Sequence, residues 1–99
     1  MAILYRCDGT TEQLAPANGV HWSLEELQGI VGGGYIDVVR TRGRHWMVID
    51  DEAKLKRKQP NRAATALYLW GDEDMIAGDA LVVETFLELN GPPDPKEEA

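Results

Sequence analysis

The order of apolar and polar positions along the chain predicts several short strands. Residues 3–8 follow the period of two that marks a strand, and the short piece 12–15 pairs back onto it. The runs 35–39 and 45–50 are separated by a turn and have the spacing of a β-hairpin. Residues 80–84 are predicted to form the last strand. Short connections join most of the predicted strands, and they favour antiparallel pairing.

The clearest helix is predicted to begin after Ser23, whose side chain suits an N-cap. Glu26 follows three residues later and completes a capping box, while Trp22 and Leu27 have the spacing of a hydrophobic staple. The glycine run 32–34 ends this helix, because glycine adopts the left-handed conformation without a steric cost.

A second helix is predicted over 63–70, with Asn61 as its N-cap and Gly71 just beyond its end. The resulting order of elements predicts an α+β domain: a mostly antiparallel sheet of four to five strands with two helices packed on one face. We expect residues 1–89 to form this single domain. Residues 90–99 contain three prolines and several charges, and they predict a mobile tail.

Charge is distributed unevenly along the chain. The net charge is −7, yet the segment 40–62, called the basic window below, holds eight of the ten cations and only three carboxylates. An acidic protein with one concentrated basic segment favours binding to a local anion over nonspecific binding to nucleic acid. The eight cations are Arg40, Arg42, Arg44, Lys54, Lys56, Arg57, Lys58 and Arg62.

Several features predict a location in a reducing cytoplasm. No apolar run approaches the roughly 20 residues that span a bilayer, so we expect no membrane segment. Arg6 and Asp8 interrupt the apolar start before it resembles a signal peptide. Cys7 is the single cysteine, which excludes an intramolecular disulfide and fits a reducing compartment.

Catalytic and metal-binding patterns are weak in this sequence. His21 and His45 have no partner at metal-ligand spacing, and no cysteine pair exists. The acidic triplets 50–52 and 72–74 suit a hard cation in principle, but such triplets are more often solvated turns. We therefore expect no catalytic residue, no metal, no cofactor and no enzymatic activity.

The start of the second predicted helix is the most suggestive local feature. Arg62 follows the N-cap Asn61, at the end of a helix where the dipole disfavours a cation. A bound anion facing the backbone N–H groups and Arg62 removes this conflict, and Thr65 with its neighbouring alanines leaves room for a ligand. The alternative is that Arg62 pairs with Asp50 or Glu52, and the sequence leaves both interpretations open.

Other cations of the basic window suggest further contacts. Arg42 and Trp46 belong to a basic hairpin, and Arg57 lies in the charge run 54–58, which predicts a solvated loop. A nucleic-acid-binding module using the whole window is an alternative function, although interleaved aromatic residues are missing. Arg42 or Arg62 meeting the acidic part of a second copy predicts a homo-oligomer.

Four segments of the sequence together resemble a family of small phage- and plasmid-encoded proteins catalogued only as a domain of unknown function. The resemblance implies an origin in a mobile element and action inside a bacterial cell, but no reaction. Combined with the missing catalytic residues, it favours a non-enzymatic accessory protein that binds and neutralises a host component. The expected partner is a host protein, such as a defence protein, or a small anionic ligand, such as a nucleotide signal. The four segments are 22–39, 47–52, 60–68 and 76–83.

Overall fold

The computed structural model describes residues 2–84 and Leu89, which contain five strands and two named helices. The strands form one sheet in the order β2-β1-β5-β4-β3, and every neighbouring pair is antiparallel. The predicted α+β class is therefore confirmed, while the tail predicted at 90–99 lies outside the described residues. No helix in the described part of the chain is long and apolar enough to cross a membrane. In chain order the elements are β1 Ala2–Tyr5, β2 Thr11–Leu14, α1 Leu24–Val31, β3 Ile36–Arg40, β4 Trp46–Asp50, α2 Arg62–Leu67 and β5 Ala80–Val83.

The two helices pack on opposite faces of the sheet, so the prediction that both lie on one face is wrong. α1 contributes to a core cluster that includes Val48 and Leu81 from the central strands. α2 contributes Ala64 and Leu67 to a second cluster around Met47. The physical reason is that β4 and β5 carry consecutive apolar residues, whose side chains point to alternate faces. A strand that is apolar on both faces needs cover on both faces.

α1 is fixed at both ends by the local interactions that the sequence predicts. The Ser23 hydroxyl accepts the Glu26 N–H at 3.1 Å, and the Glu26 carboxylate accepts the Ser23 N–H at 3.0 Å. Trp22 and Leu27 are both buried in the core cluster on this face. Gly32 ends the helix in the left-handed conformation, with φ at 71°. The capping box and the glycine stop are therefore confirmed.

The carboxylate of Asp50, at the end of β4, is buried and organises the polar residues around it. Its oxygens accept hydrogen bonds from the ammonium groups of Lys58 at 2.8 Å and Lys56 at 3.0 Å, and from the Glu52 N–H at 2.9 Å. A side chain at Gly33 would overlap this carboxylate, so only glycine fits there. Burial by itself raises the pKa of Asp50, but hydrogen bonds from Lys58, Glu52 and Lys56 outweigh burial and lower that pKa to about 2.

Lys58 connects this carboxylate to the end of α1. Its ammonium group also donates to the carbonyl oxygens of Val31 at 3.0 Å and Gly32 at 2.9 Å, which the helix itself leaves unpaired. The ammonium thus has three acceptors, including Asp50. The prediction that 54–58 is a solvated loop is wrong at Lys58. We refer to Asp50, Lys56, Lys58 and Gly33 together as the Asp50 cluster.

α2 is shorter than the sequence predicts. The predicted helix over 63–70, with Gly71 beyond its end, instead ends at Leu67. Tyr68 turns into extended backbone, with φ at −66° and ψ at 134°, and forms an antiparallel bridge with Thr41 at the end of β3. Pairing to the edge of the sheet therefore replaces the last helical turn, which is a tertiary interaction that local propensity does not reveal.

Replacing Asp50 by asparagine is expected to lower the free energy of unfolding by roughly 3 kcal/mol at pH 7. The asparagine amide is uncharged, so it cannot compensate the charges of the two ammonium groups that bind the buried Asp50 carboxylate in the natural chain. Urea denaturation measures this change, and Asp51→Asn, at an exposed neighbour, is the matched control with an expected change below about 0.5 kcal/mol. Equal stabilities of the Asp50 and Asp51 variants would contradict the assigned role.

The stability difference between the natural chain and Asp50→Asn is expected to depend on pH. The pKa of Asp50 is about 2 in the folded chain, below the value of about 3.9 expected for an unfolded aspartate. Its stabilising contribution is therefore fully present above about pH 5 and is lost as the pH falls towards 2. Denaturation at a series of pH values should show a constant difference from pH 7 to 5 that shrinks below pH 4. A difference that stays constant down to pH 2 would contradict the depressed pKa.

Candidate functional site

Asn61 is a structural residue rather than a ligand-binding one. Its side chain is 1% exposed, and its amide nitrogen donates to the carbonyl oxygens of Tyr5 at 2.8 Å and Gly78 at 2.9 Å. Its side-chain oxygen accepts the Ala64 N–H at 3.0 Å and so caps α2. This confirms the predicted N-cap, but it also means that Asn61 has no side-chain group left for an anion.

Thr65 supports the same arrangement and borders the open surface. Its hydroxyl donates to the Asn61 carbonyl oxygen at 2.7 Å and accepts the Ile76 N–H at 2.9 Å. These bonds join α2 to the segment that leads into β5. The hydroxyl is thus occupied within the fold, and the side chain contributes only part of a wall.

Two arginines of the basic window, Arg42 and Arg62, line one open cleft of about 320 Å³, called the arginine cleft below. The guanidinium group of Arg42 donates to the Tyr68 carbonyl oxygen at 3.1 Å and lies 3.1 Å from the Asp72 carboxylate. This ion pair is exposed, since the Asp72 side chain is 87% accessible. The lining residues include Arg42, Pro60, Arg62, Thr65, Asp72 and Met75.

Arg62 enters this cleft without a carboxylate partner. Within residues 2–84, none of the ion pairs involves Arg62, and its side chain is exposed. The alternative that Arg62 pairs with Asp50 or Glu52 is wrong, because Arg62 forms an ion pair with neither, and Asp50 is buried against Lys56 and Lys58. The cleft therefore contains one cation held by an exposed carboxylate and a second cation that makes no ion pair with the described residues.

The other predicted site residues lie elsewhere. Trp46 packs against the core cluster on the α1 face, and the guanidinium carbon of Arg40 lies 5.3 Å from the centre of its ring. Arg57 lies on the exposed turn that follows β4, with φ at 58°, and does not line the cleft. The structure thus brings together Arg42, Arg62 and Thr65, places Asn61 in the interior behind them, and leaves Arg57 and Trp46 apart.

Half of the cations in the basic window form ion pairs within the fold. These pairs explain why the window is not a continuous positive surface, although its residues are close in sequence. They also show that the acidic triplet 72–74, predicted as a solvated turn, supplies partners for two of the cations. The four pairs are Arg42 with Asp72, Lys54 with Asp74, Lys56 with Asp50 and Lys58 with Asp50.

Sequence reasoning missed three exposed apolar residues beside the arginine cleft. Leu69 is 41% exposed, Trp70 is 56% exposed and Met75, which lines the cleft, is 43% exposed. The sequence did contain a signal for these residues. A helix that reached Trp70 would have to place this large apolar side chain on one of its faces. The early end of α2 instead leaves these side chains on the surface. We call Leu69, Trp70 and Met75 the apolar rim.

The chemistry of the cleft suits binding. Its lining residues include no cysteine and no histidine, and its carboxylate, Asp72, is exposed and paired with Arg42. Across the described residues, no group of three or more histidine, cysteine, aspartate or glutamate side chains is arranged to hold a metal ion. Arginine side chains, two of which line this cleft, can bind pairs of oxygens of a carboxylate or phosphate.

Residues 1–90 match one protein family, described as Domain of unknown function (DUF3846). The match covers nearly the whole of the 99-residue chain, so the chain belongs to this family. The resemblance to a family catalogued as a domain of unknown function is thereby confirmed. No curated protein and no solved structure matches the chain. The assignment of the site therefore depends on its geometry.

Neighbouring residues Asn61 and Arg62 are expected to respond to mutation in opposite ways. Asn61→Ala should lower the free energy of unfolding by roughly 3 kcal/mol, since it removes a helix cap and leaves two buried carbonyl oxygens without donors. Arg62→Ala should change it by less than about 0.5 kcal/mol, because the side chain is exposed. Urea denaturation of both variants measures the contrast. A large loss of stability in Arg62→Ala would contradict the separation of structural and binding roles.

Proposed function

We propose that this member of the family is a non-enzymatic accessory protein of a phage or other mobile element. It acts in the cytoplasm of a bacterial host by capturing an anionic group of a host component in the arginine cleft. The observation that carries the proposal is the placement of Arg62, which lines the same cleft as Arg42 and has no ion-pair partner among residues 2–84.

The ion pair between Arg42 and Asp72 favours exchange with a ligand. An exposed pair of this kind contributes on the order of 0–1 kcal/mol, so a ligand carboxylate or phosphate replaces Asp72 at little cost. Arg42 keeps its position during the exchange because it also donates to the Tyr68 carbonyl oxygen. One guanidinium is therefore preorganised, and the other gains its charge partner only on binding.

The absence of an enzymatic role is part of the proposal. The Thr65 hydroxyl already has two partners within the fold, and the cleft-lining residues offer no general base that contacts it. Neutralising a host component requires only tight and selective binding. The origin in a mobile element is supported by the sequence resemblance alone.

The alternative of a nucleic-acid-binding module has weaker support. Binding along a phosphate backbone needs several free cations on one surface. Four of the eight cations in the basic window are held by carboxylates, and Arg40 lies over Trp46 on the α1 face.

Homo-oligomerisation through Arg42 or Arg62 also stays a prediction, and light scattering at low salt tests it.

Capture of host components should depend on Arg62. The natural chain, Arg62→Glu and Arg57→Glu are immobilised and exposed to bacterial lysate, and retained proteins and small molecules are quantified by mass spectrometry. We expect at least one component to be retained by the natural chain and by Arg57→Glu, and reduced at least tenfold on Arg62→Glu. Arg57→Glu is the matched control because it makes the same charge change at an exposed position outside the cleft. Identical retention by all three proteins would contradict the proposal.

A further inference from the structure

We propose that the arginine cleft and the apolar rim form one docking surface for an acidic peptide segment of a partner protein. The segment carries a carboxylate next to an aliphatic or aromatic side chain. This inference rests on the proposed function and names the class of partner for the same site. It uses a feature that the anion-binding proposal leaves unexplained, namely the apolar rim.

The apolar rim is held in place beside the cleft by backbone hydrogen bonds. The Leu69 N–H donates to the Arg40 carbonyl oxygen at 3.0 Å, which attaches the rim to the edge of the sheet. The Trp70 carbonyl oxygen accepts the N–H groups of Glu73 and Asp74, both at 2.9 Å, which closes the turn. Trp70 is 56% exposed, and because its backbone is held in the turn, it offers contact area with little backbone ordering on binding.

The combination of side chains is typical of a protein-binding site. Tryptophan and arginine are the residues most enriched among those that dominate binding energy at protein interfaces. Here Trp70 directly precedes Gly71, which lines the cleft, and Met75 belongs to both the cleft and the rim. An apolar side chain of the partner can therefore contact the rim while its neighbouring carboxylate reaches Arg62.

The charge around the cleft favours one or two carboxylates over a polyphosphate. Asp72 lines the cleft, and Glu73 and Asp74 follow it on the same exposed turn. The chain also carries a net charge of −7, so a ligand with several closely spaced negative charges is repelled. A peptide carboxylate places a single charge at the two arginines and directs apolar atoms towards the rim.

The size of the cleft agrees with this occupant. A volume of about 320 Å³ is at the lower end for ligand pockets, and it suits one or two side chains better than a whole nucleotide. Small residues such as Ala66 and Gly71 line it, so a side chain of the partner can enter. The rest of the peptide then lies across the exposed rim.

Selection of peptides tests this inference directly. A display library of random 12-residue peptides is selected on the natural chain, and the enriched peptides are synthesised with a fluorescent label for polarisation measurements. We expect a shared pattern of aspartate or glutamate beside an apolar residue. Arg62→Glu and Trp70→Ala should each weaken binding at least tenfold. Leu55→Ala is the control, since Leu55 is 81% exposed on a different loop and should leave binding unchanged.

The outcomes separate this inference from the proposed function. Circular dichroism first establishes that each variant is folded. Enriched peptides without a carboxylate, or binding that is equal in Arg62→Glu, would overturn the inference. ATP, cyclic dinucleotides and pyrophosphate are titrated in parallel. Binding of one of them that depends on Arg62, without peptide binding, would overturn the peptide inference and leave the proposed anion capture intact. Failure of every anionic probe, together with lysate retention that Arg62→Glu does not change, would overturn both.

Discussion

The buried carboxylate of Asp50 is the constraint on which the polar half of this fold depends. A charge at the end of an apolar strand is costly to remove from water unless it is fully paired, and here two ammonium groups and one backbone N–H provide the pairing. Lys58 extends the interaction to the carbonyl oxygens that end α1. The strand, the helix and the connecting loop are therefore held by one charge.

The same interaction decides which cations remain available for binding. Asp50 binds two cations of the basic window, Lys56 and Lys58, and is therefore not a partner for Arg62. Asp72 compensates Arg42 only through an exposed and exchangeable contact. The basic segment is continuous in the sequence but divided in the structure. Lys56 and Lys58, from its interior, join the Asp50 cluster, while Arg42 and Arg62, from near its two ends, line one cleft. The proposed binding site follows from this division of charges.

Features that depend on neighbours in sequence were predictable, and features that depend on the competition between distant partners were not. The capping box of Ser23 and Glu26 and the N-cap Asn61 are local, and both were confirmed. The end of α2 was not, because pairing of Tyr68 with Thr41 overrides helix propensity. The opposite placement of the helices was encoded in the apolar runs of β4 and β5, but helix position was inferred from element order alone. The pairing of Asp50 with two lysines, and the lack of an ion pair between Arg62 and any residue of 2–84, depend on tertiary contacts that no local pattern reveals.

The central claim is that Arg42 and Arg62 act together as one anion-binding site. Nuclear magnetic resonance of the arginine side-chain Nε–H groups tests it most directly, during titration with pyrophosphate and with N-acetyl-glutamyl-leucine amide at pH 6. We expect the Arg42 and Arg62 signals to shift together and saturate with at least one of these probes, while those of Arg44 and Arg57 stay in place. Equal shifts at all four arginines, or no saturable shift at Arg62, would contradict it.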